Sequence, residues 1–340
     1  MAVHFGLDIG TQYIKVAQVR KTTSSYQLTK IGYTPSPAKG LSSEAQVDYE
    51  ILAETIKKLV KDSQIETKNV ALAIPEAQVF NRIIQIPEVS ESELASAIKW
   101  EAEQYIPLPL EEARLAWQVL SKSEKEKKLN ILLIAVPDTL IDKYEKVCSL
   151  SHLEAVAVET EMLSLIRAFY TNAQMPTSLL IDIGAQNTSL AVVQDGGILI
   201  YNRSIQTAGN ATTRAIASEL GLEIPEAEEY KKSYGLDKSK LSGKVANAIN
   251  PIFTAVLNEI KRGVSFAQEK YPDNPVKRIV VSGGSSLLPH LVATIASQTG
   301  VETEIGNPLS NIALSENLKQ SYGALGSLFA ISVGLAMKET

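Results

Sequence analysis

The chain has 340 residues, of which 45% are hydrophobic and 21% charged, and its net charge is −5. That length is too great for one ordinary core and suits two similar domains, and the acidic balance excludes a broad basic footprint for nucleic acid. The single cysteine, Cys148, excludes a disulfide framework and reads as a small buried hydrophobe; no signal peptide is expected, and no stretch reaches the roughly 20 apolar residues of a membrane span.

Phe5 to Val19 reads FGLDIGTQYIKVAQV, which is an apolar strand, Asp-Ile-Gly, a polar turn and a second strand. The chain turns over 21–25 and returns with a strand at Tyr26 to Ile31. Asp48 to Ser63 has helical spacing, with Ile51, Leu52, Ile56, Leu59 and Val60 on one face. Val70 to Ile74 and Val79 to Ile86 read as strands. Ser90-Glu91-Ser92-Glu93 has the capping-box form and predicts a helix to about Tyr105, ending before Pro107. Ala113 to Leu120 and Leu129 to Val136 read as a strand pair joined by a charged, solvated turn. Asp138 is read as the cap of a helix to about Leu150, and Leu153 to Val158 as a strand.

Leu179 to Val193 reads LLIDIGAQNTSLAVV and aligns without a gap to Phe5–Val19. Asp8/Asp182, Ile9/Ile183, Gly10/Gly184, Gln12/Gln186, Ala17/Ala191 and Val19/Val193 are identical, each pair 174 positions apart. Two domains of one design are the simplest account. The second copy continues through Asp195-Gly196-Gly197, a hairpin signal. Ala211 to Leu220 and Ile224 to Tyr234 follow as helices ended by Gly221 and Gly235. A long helix is expected from Pro251 to about Tyr271, a strand at Val276 to Ser282, a helix from about Leu287 to Thr299 and a last helix over Asn317 to Lys338.

An Asp-Ile-Gly at a strand end has a chemical use. The glycine lets the turn amides approach phosphate oxygens, and the aspartate can hold a hydrated divalent cation. Two facing copies would grip a polyphosphate from both sides, with Thr11 and Gln12 contacting phosphate and Asp8 and Asp182 placing Mg²⁺ through water. Turn capping and amide-bonded carboxylates are the structural alternatives for these residues. Val281-Ser282-Gly283-Gly284-Ser285 runs from a strand into a helix start, on which a base or ribose can lie. The three histidines, His4, His152 and His290, have no metal-ligand spacing, and neither a Walker-type loop nor a G-x-S-x-G elbow occurs.

These motifs, in this order, resemble the actin, hexokinase and heat-shock chaperone superfamily. Asp8 to Lys15 resembles its first phosphate loop, Asp182 to Thr188 (with Gly184, Ala185 and Gln186) its second, and Val281 to Ser285 its adenosine motif. Val158 to Phe169 and Leu318 to Met337 resemble the two connecting helices, and Glu228 and Lys231 match a Glu-x-x-Lys that contacts adenosine. Within the superfamily the chain is similar to the PilM family of type IV pilus assembly proteins. The residues that carry this are Ile98 to Pro107, Thr207 to Thr213 (with Gly209 and Asn210), and the position of the insert before the first connecting helix.

The resemblance implies an actin-like, ribonuclease H-like α/β ATPase fold of two duplicated domains with an insert of the FtsA and PilM type. It implies subdomain 1A over 1–78, 158–177 and 317–340, 1C over 79–157, 2A over 178–208 and 275–316, and 2B over 209–274. It implies ATP and Mg²⁺ in the cleft, contacted by Gly10, Lys15, Thr188, Gly283, Gly284 and Ser285 among the motif residues, and an N-terminal peptide of PilN at the 1A–1C surface. Trp100 and Tyr105 on the insert helix are candidates to line a partner groove, with ordinary aromatic packing as the default alternative. A cytoplasmic protein, peripheral at the inner membrane through its partner, follows. Glu159 stands where chaperone ATPases place a carboxylate near the attacking water; the alternative is an exposed helix-start glutamate. Thr11-Gln12-Tyr13 departs from the small serines common in the family and Ala208 from its usual glycine, and slow or absent turnover is implied. A small-molecule kinase, an FtsA-like filament former and a type II secretion platform protein remain open. The kinase lacks an evident catalytic aspartate beyond Asp8 and Asp182. The filament former is disfavoured because Lys338-Glu339-Thr340 follows the last helix directly.

Overall fold

The structure is a computed structural model that describes residues 3–23, 25–171 and 174–339, so the turn over 21–25 and both chain ends lie partly outside it. The first half opens with β1 (Phe5–Ile9), β2 (Tyr13–Lys21) and β3 (Tyr26–Pro35), an antiparallel meander, followed by α1 (Gln46–Asp62) and β4 (Asn69–Ile74), which pairs parallel with β1. β1 and β4 are apolar almost throughout because both faces of the sheet are covered.

The chain then leaves for an insert: β5 (Phe80–Pro87), α2 (Glu91–Tyr105), β6 (Ala113–Ser123) and β7 (Lys128–Pro137), with sheet order β5-β7-β6. Ile98 and Ala102 of α2 pack on Ile131, Leu133 and Ala135 of β7. The Ser90–Glu93 capping box forms as expected. The chain returns through α3 (Asp138–Leu150) and β8 (Glu154–Thr160), which pairs with β4. The first sheet is therefore ordered β3-β2-β1-β4-β8. α1 and α3 bury Leu52, Ile56, Tyr144 and Val147 against Phe5, Leu7 and Leu72 on one of its faces.

After α4 (Glu161–Phe169) the second half repeats the design with β9 (Ser178–Ile183), β10 (Thr188–Gln194) and β11 (Ile198–Ile205). The helices α5 (Gly209–Leu220), α6 (Ile224–Tyr234) and α7 (Lys244–Lys270) follow, then β12 (Arg278–Ser282), α8 (Leu291–Thr299) and β13 (Glu302–Ile305). Its sheet is ordered β11-β10-β9-β12-β13, the same pattern as the first sheet, so the sequence repeat is a structural duplication. The chain closes with α9 (Glu316–Tyr322) and α10 (Ala330–Ala336).

The halves are joined by crossed helices. α4 follows the first sheet but packs Met162, Leu165 and Phe169 against Leu180, Ala191 and Val193 of the second. α10 follows the second sheet but lies on the first, where Ile331 and Leu335 meet Ala71 and Ala73. Close approach demands glycine at Gly334, where a Cβ would lie 1.9 Å from the Ser164 carbonyl oxygen.

Several boundaries differ from expectation. β8 runs to Thr160, so the first connecting helix begins at Glu161; pairing of Val158–Thr160 with Leu72–Ile74 holds those residues extended. α3 and the first part of β8 lie inside the expected insert of 79–157 yet pack with the first domain, leaving Phe80–Pro137 as the insert's own sheet and helix. α7 starts at Lys244 with Pro251 in its interior; buried Val245, Ala246, Ile249 and Phe253 hold the helix through the proline. Asp138 is not a cap, since its carboxylate accepts from Arg114 at 3.2 Å. The expected helix from Leu287 begins at Leu291. The expected final helix breaks into a 3₁₀ segment, Gly323–Phe329, where a Cβ on Gly326 would strike the Asn307 side chain at 1.8 Å.

Candidate functional site

The two Asp-Ile-Gly turns face each other across the cleft between the halves. They are built alike: Gly10 N–H donates to the Tyr13 carbonyl at 3.1 Å, and Gly184 N–H to the Asn187 carbonyl at 3.0 Å. A Cβ on Gly10 would sit 2.8 Å from that carbonyl oxygen, so the tight turn excludes a side chain. The turns bound a cavity of about 660 Å³. Asp8, Gly10, Thr11, Gln12, Lys15, Asp182, Gly184, Ala185 and Gln186 all line it.

The duplication is broken where charge matters. The β1–β2 register sets Lys15 opposite Asp8, and the ammonium lies 2.5 Å from the carboxylate. At the equivalent place, Asp182 stands opposite Ser189. Burial, partly offset by Lys15, pushes the Asp182 carboxyl up to about 6, and the Asp8 charge adds to the rise. Burial works against the charged Lys15, but the Asp8 carboxylate prevails and holds its ammonium above the usual lysine value.

A third carboxylate, Glu161, lines the cavity at the start of α4. Burial and then the charges of Asp182 and Asp8 push it well above the ordinary glutamate value. Glu161 was not anticipated; Glu159 was. Glu159 does not line the cavity, since its carboxylate is buried on the other side of β8. There it accepts from Arg167 at 2.5 and 2.8 Å, Lys338 at 2.9 Å and Ser164 at 2.7 Å. The usable signal was Thr160-Glu161, an N-cap residue followed by an acid, at the true strand-to-helix switch.

The second domain supplies the far wall. Gly283 takes a positive φ of 85°, and a Cβ there would lie 2.6 Å from the Ile183 carbonyl oxygen and 2.9 Å from Asp182 Oδ1. This lets Gly283, Gly284 and Ser285 line the cavity beside the second turn. Ser285 Oγ donates to the Gly184 carbonyl at 3.2 Å. Glu228 and Lys231 also line the cavity, joined at 2.6 Å. Lys231 donates further to the Gly209 carbonyl at 3.2 Å and to Thr213 Oγ1 at 2.9 Å, and Thr213 donates to Glu228 at 2.6 Å. Burial opposes the Glu228 charge, but bonds from Lys231 and Thr213 hold its carboxyl below the ordinary value. Thr213 is a contributor that the Glu-x-x-Lys pattern could not reveal.

Gly209 lines the cavity, whereas Asn210 sits at its edge and is reached through Gln12, whose Nε2 donates to Asn210 Oδ1 at 3.0 Å. Thr188 does not line the cavity: it is fully buried on β10 and its hydroxyl donates to the Thr207 carbonyl at 2.6 Å. Tyr13 packs edge-on against Tyr33 at 5.6 Å, and both rings form one wall of the cavity. Trp100 and Tyr105 lie exposed on the insert, with Arg82 over the Tyr105 ring at 4.2 Å.

Among the charged residues that line the cavity, Asp8, Asp182 and Glu161 gather around Lys15, a local excess of carboxylate that a hard divalent cation relieves. Among the described residues no three acidic, histidine or cysteine side chains converge closely enough to hold a metal directly. This donor set suits a cation held through water and phosphate oxygens, as Mg²⁺ is. No helix among the described residues is long and apolar enough to cross a membrane.

The family described as type IV pilus assembly protein PilM matches residues 6–340 of this chain. A chain of a PilM-PilN type IV pilus biogenesis complex is similar with a TM-score of 0.86 and 25% identity, covering 99% of this chain and 98% of that one. Cell division protein FtsA of Escherichia coli (strain K12) is 23% identical over 381 residues, covering 97% of this chain and 88% of FtsA. MreB5 of Spiroplasma citri, crystallised bound to ADP, is similar in fold with a TM-score of 0.54 at 17% identity, covering 97% and 94% of the chains. The fold is the expected actin-like one.

Proposed function

Since the chain belongs to the family of type IV pilus assembly proteins PilM, we propose that it is an ATP-binding scaffold of the pilus assembly platform that holds the N-terminal peptide of PilN. The observation that carries this reading is the 660 Å³ cavity, bounded by both Asp-Ile-Gly turns, the Gly283-Gly284 turn and the Glu228–Lys231 pair. In this reading the turn amides of Gly10 to Gln12 and Gly184 to Gln186 bind phosphates from opposite sides. Lys15 lies beside them, and Glu228, Lys231, Gly283, Gly284 and Ser285 hold the nucleoside. Asp8 and Asp182 hold Mg²⁺ through water. When bound, the cation neutralises phosphate charge and orients the polyphosphate. Glu161, rather than Glu159, is the carboxylate placed to orient a water against the terminal phosphate.

The insert supports the partner half of the proposal. Trp100, Tyr105, Trp117 and Val119 are all exposed on it, a concentration of apolar and aromatic surface of the kind partners use. Subdomain 1A with the insert as 1C forms the docking side, and 2A with 2B completes the cleft. The protein then works in the cytoplasm and reaches the inner membrane through PilN. The test is titration of the purified chain with a synthetic PilN N-terminal peptide from the same genome. Saturable binding that Trp100→Ala or Trp117→Ala weakens supports the scaffold. No peptide binding, together with phosphate release that depends on an added sugar or acid, contradicts it and favours a small-molecule kinase.

A further inference from the structure

Glu76 is a buried carboxylate that does not line the cleft, yet it begins a chain of hydrogen bonds that reaches all three lobes of the molecule. It opens the 3₁₀ turn Glu76–Gln78, where the chain leaves the first domain for the insert. Its Oε1 accepts from Met162 N–H, in the first turn of α4, at 3.2 Å. Met162 directly follows Glu161, whose side chain borders the cleft. The Glu76 Oε2 accepts from Asn81 Nδ2, on β5 of the insert. Asn81 Oδ1 in turn accepts from Asn202 Nδ2 at 2.7 Å, on β11 of the second domain.

Both polar atoms of Asn81 are thus committed, one to the first domain and one to the second. Its amide can keep both bonds only while β5 holds one position relative to both domains. If β11 moves against β4, the strand that leads into Glu76, the Asn81 amide must lose a bond or carry β5 with it. Losing a bond inside this half-buried junction leaves polar groups without partners, which is costly where the dielectric is low. Burial pushes the Glu76 carboxyl above its ordinary value, although Thr160 and Met162 N–H oppose the rise. A static joint could be made from apolar packing alone; a buried acid bonded in series to two amides fixes a register between three bodies.

We infer that the Glu76–Asn81–Asn202 chain couples the cleft to the insert, so that closure of the two domains around a nucleotide repositions β5 and the exposed face of the insert. This rests on the reading that the cleft binds ATP. Glu76, Asn81 and Asn202 are positioning residues here, since none of them lines the cleft.

The experiment is hydrogen exchange on the full chain with and without ATP–Mg²⁺, comparing the natural sequence with Asn202→Ala. Asn202→Ser is a second variant should the alanine variant lose its cooperative thermal transition. In the natural protein ATP is expected to slow exchange at both Asp-Ile-Gly turns and, by at least about fivefold, over Phe80–Pro87. In the variant the turns keep their protection and ATP affinity stays within about twofold, while the response of Phe80–Pro87 is lost. An equal response of that strand in the variant, or none in the natural protein while the turns are protected, overturns the inference. Failure of ATP to protect the turns themselves is a different result: it overturns the ATP reading and the inference with it.

Discussion

Gln12 and Asn210 meet across the mouth of the cleft, Nε2 donating to Oδ1 at 3.0 Å, though they are 198 positions apart. One belongs to the turn after β1 and the other to the first turn of α5. The bond is a strap between the domains, and its residues come from two motifs that the sequence marks separately.

Cutting that strap is expected to speed nucleotide release. A hydrogen bond of this exposed kind contributes about 0.5–1.5 kcal/mol, so Gln12→Ala is expected to raise the ATP dissociation rate about two- to tenfold. Stopped-flow release of a fluorescent ATP analogue measures it. An unchanged rate means that the strap has no part in retention.

Asp182 makes stability depend on pH when no nucleotide is bound. Its folded carboxyl value, about 6, is raised above the ordinary 3.8. The folded state therefore holds the proton more tightly, and the stability this gives is present at low pH and lost as pH rises through about 6. Because the carboxyl borders the open cleft, where solvent screens it, the charged form costs about 2 kcal/mol above pH 6. Asp182→Asn is expected to melt a few degrees higher than the natural protein at pH 7.5, with the difference shrinking as pH falls below about 6 and gone below the ordinary value of 3.8, at about pH 3.5. Thermal denaturation at both values checks this, and a variant that melts lower at pH 7.5 contradicts it.

Glu159 and Glu161 are expected to separate cleanly on substitution. Glu161→Gln is expected to slow phosphate release from ATP at least about tenfold, since its carboxylate borders the cleft, and to melt no lower than the natural protein, since burial and the neighbouring aspartates already disfavour its charge. Glu159→Gln leaves Arg167 and Lys338 without their buried counter-charge and is expected to lower stability by about 2–3 kcal/mol at unchanged turnover. Phosphate release and urea unfolding, measured on both variants, give the comparison; the reverse pattern returns the role to Glu159.

Gly334→Ala is expected to destabilise the crossing of α4 and α10 by about 2–4 kcal/mol, because its methyl group meets the Ser164 carbonyl and the helices cannot part without disturbing both sheets. Loss of more than a few degrees in melting temperature is the expected outcome, and a neutral effect shows that the crossing can relax.

Much of this was legible in the sequence for a local reason. The two copies of Asp-Ile-Gly lie in continuous strands, so alternation of apolar residues and a fixed repeat distance expose the duplication, and the matching sheet orders follow. Gly10, Gly184 and Gly283 line the cavity at tight turns, and the sequence marks them because glycine reports a backbone constraint. Thr188 and Glu159 do not line it, because the face a strand residue presents depends on where the strand ends and what covers it. β8 continues two residues past the expected Val158, and this puts Glu159 on the wrong side. Pro251 and Gly326 mislead in opposite directions. Packing carries α7 through a proline, while the final helix gives way to 3₁₀ geometry where Asn307 packs on Gly326 and its Nδ2 donates to the Gly323 carbonyl at 2.8 Å. The Glu76–Asn81–Asn202 chain joins residues up to 126 positions apart, and no local pattern marks it.

Calorimetric titration of ATP–Mg²⁺ into the natural protein and Asp182→Ala tests the central claim most directly, that the cleft between the duplicated turns is a nucleotide site. Saturable binding of one nucleotide per chain, weakened at least about tenfold in the variant, is the predicted result. Absence of heat in the natural protein, or equal affinity in the variant, would contradict it.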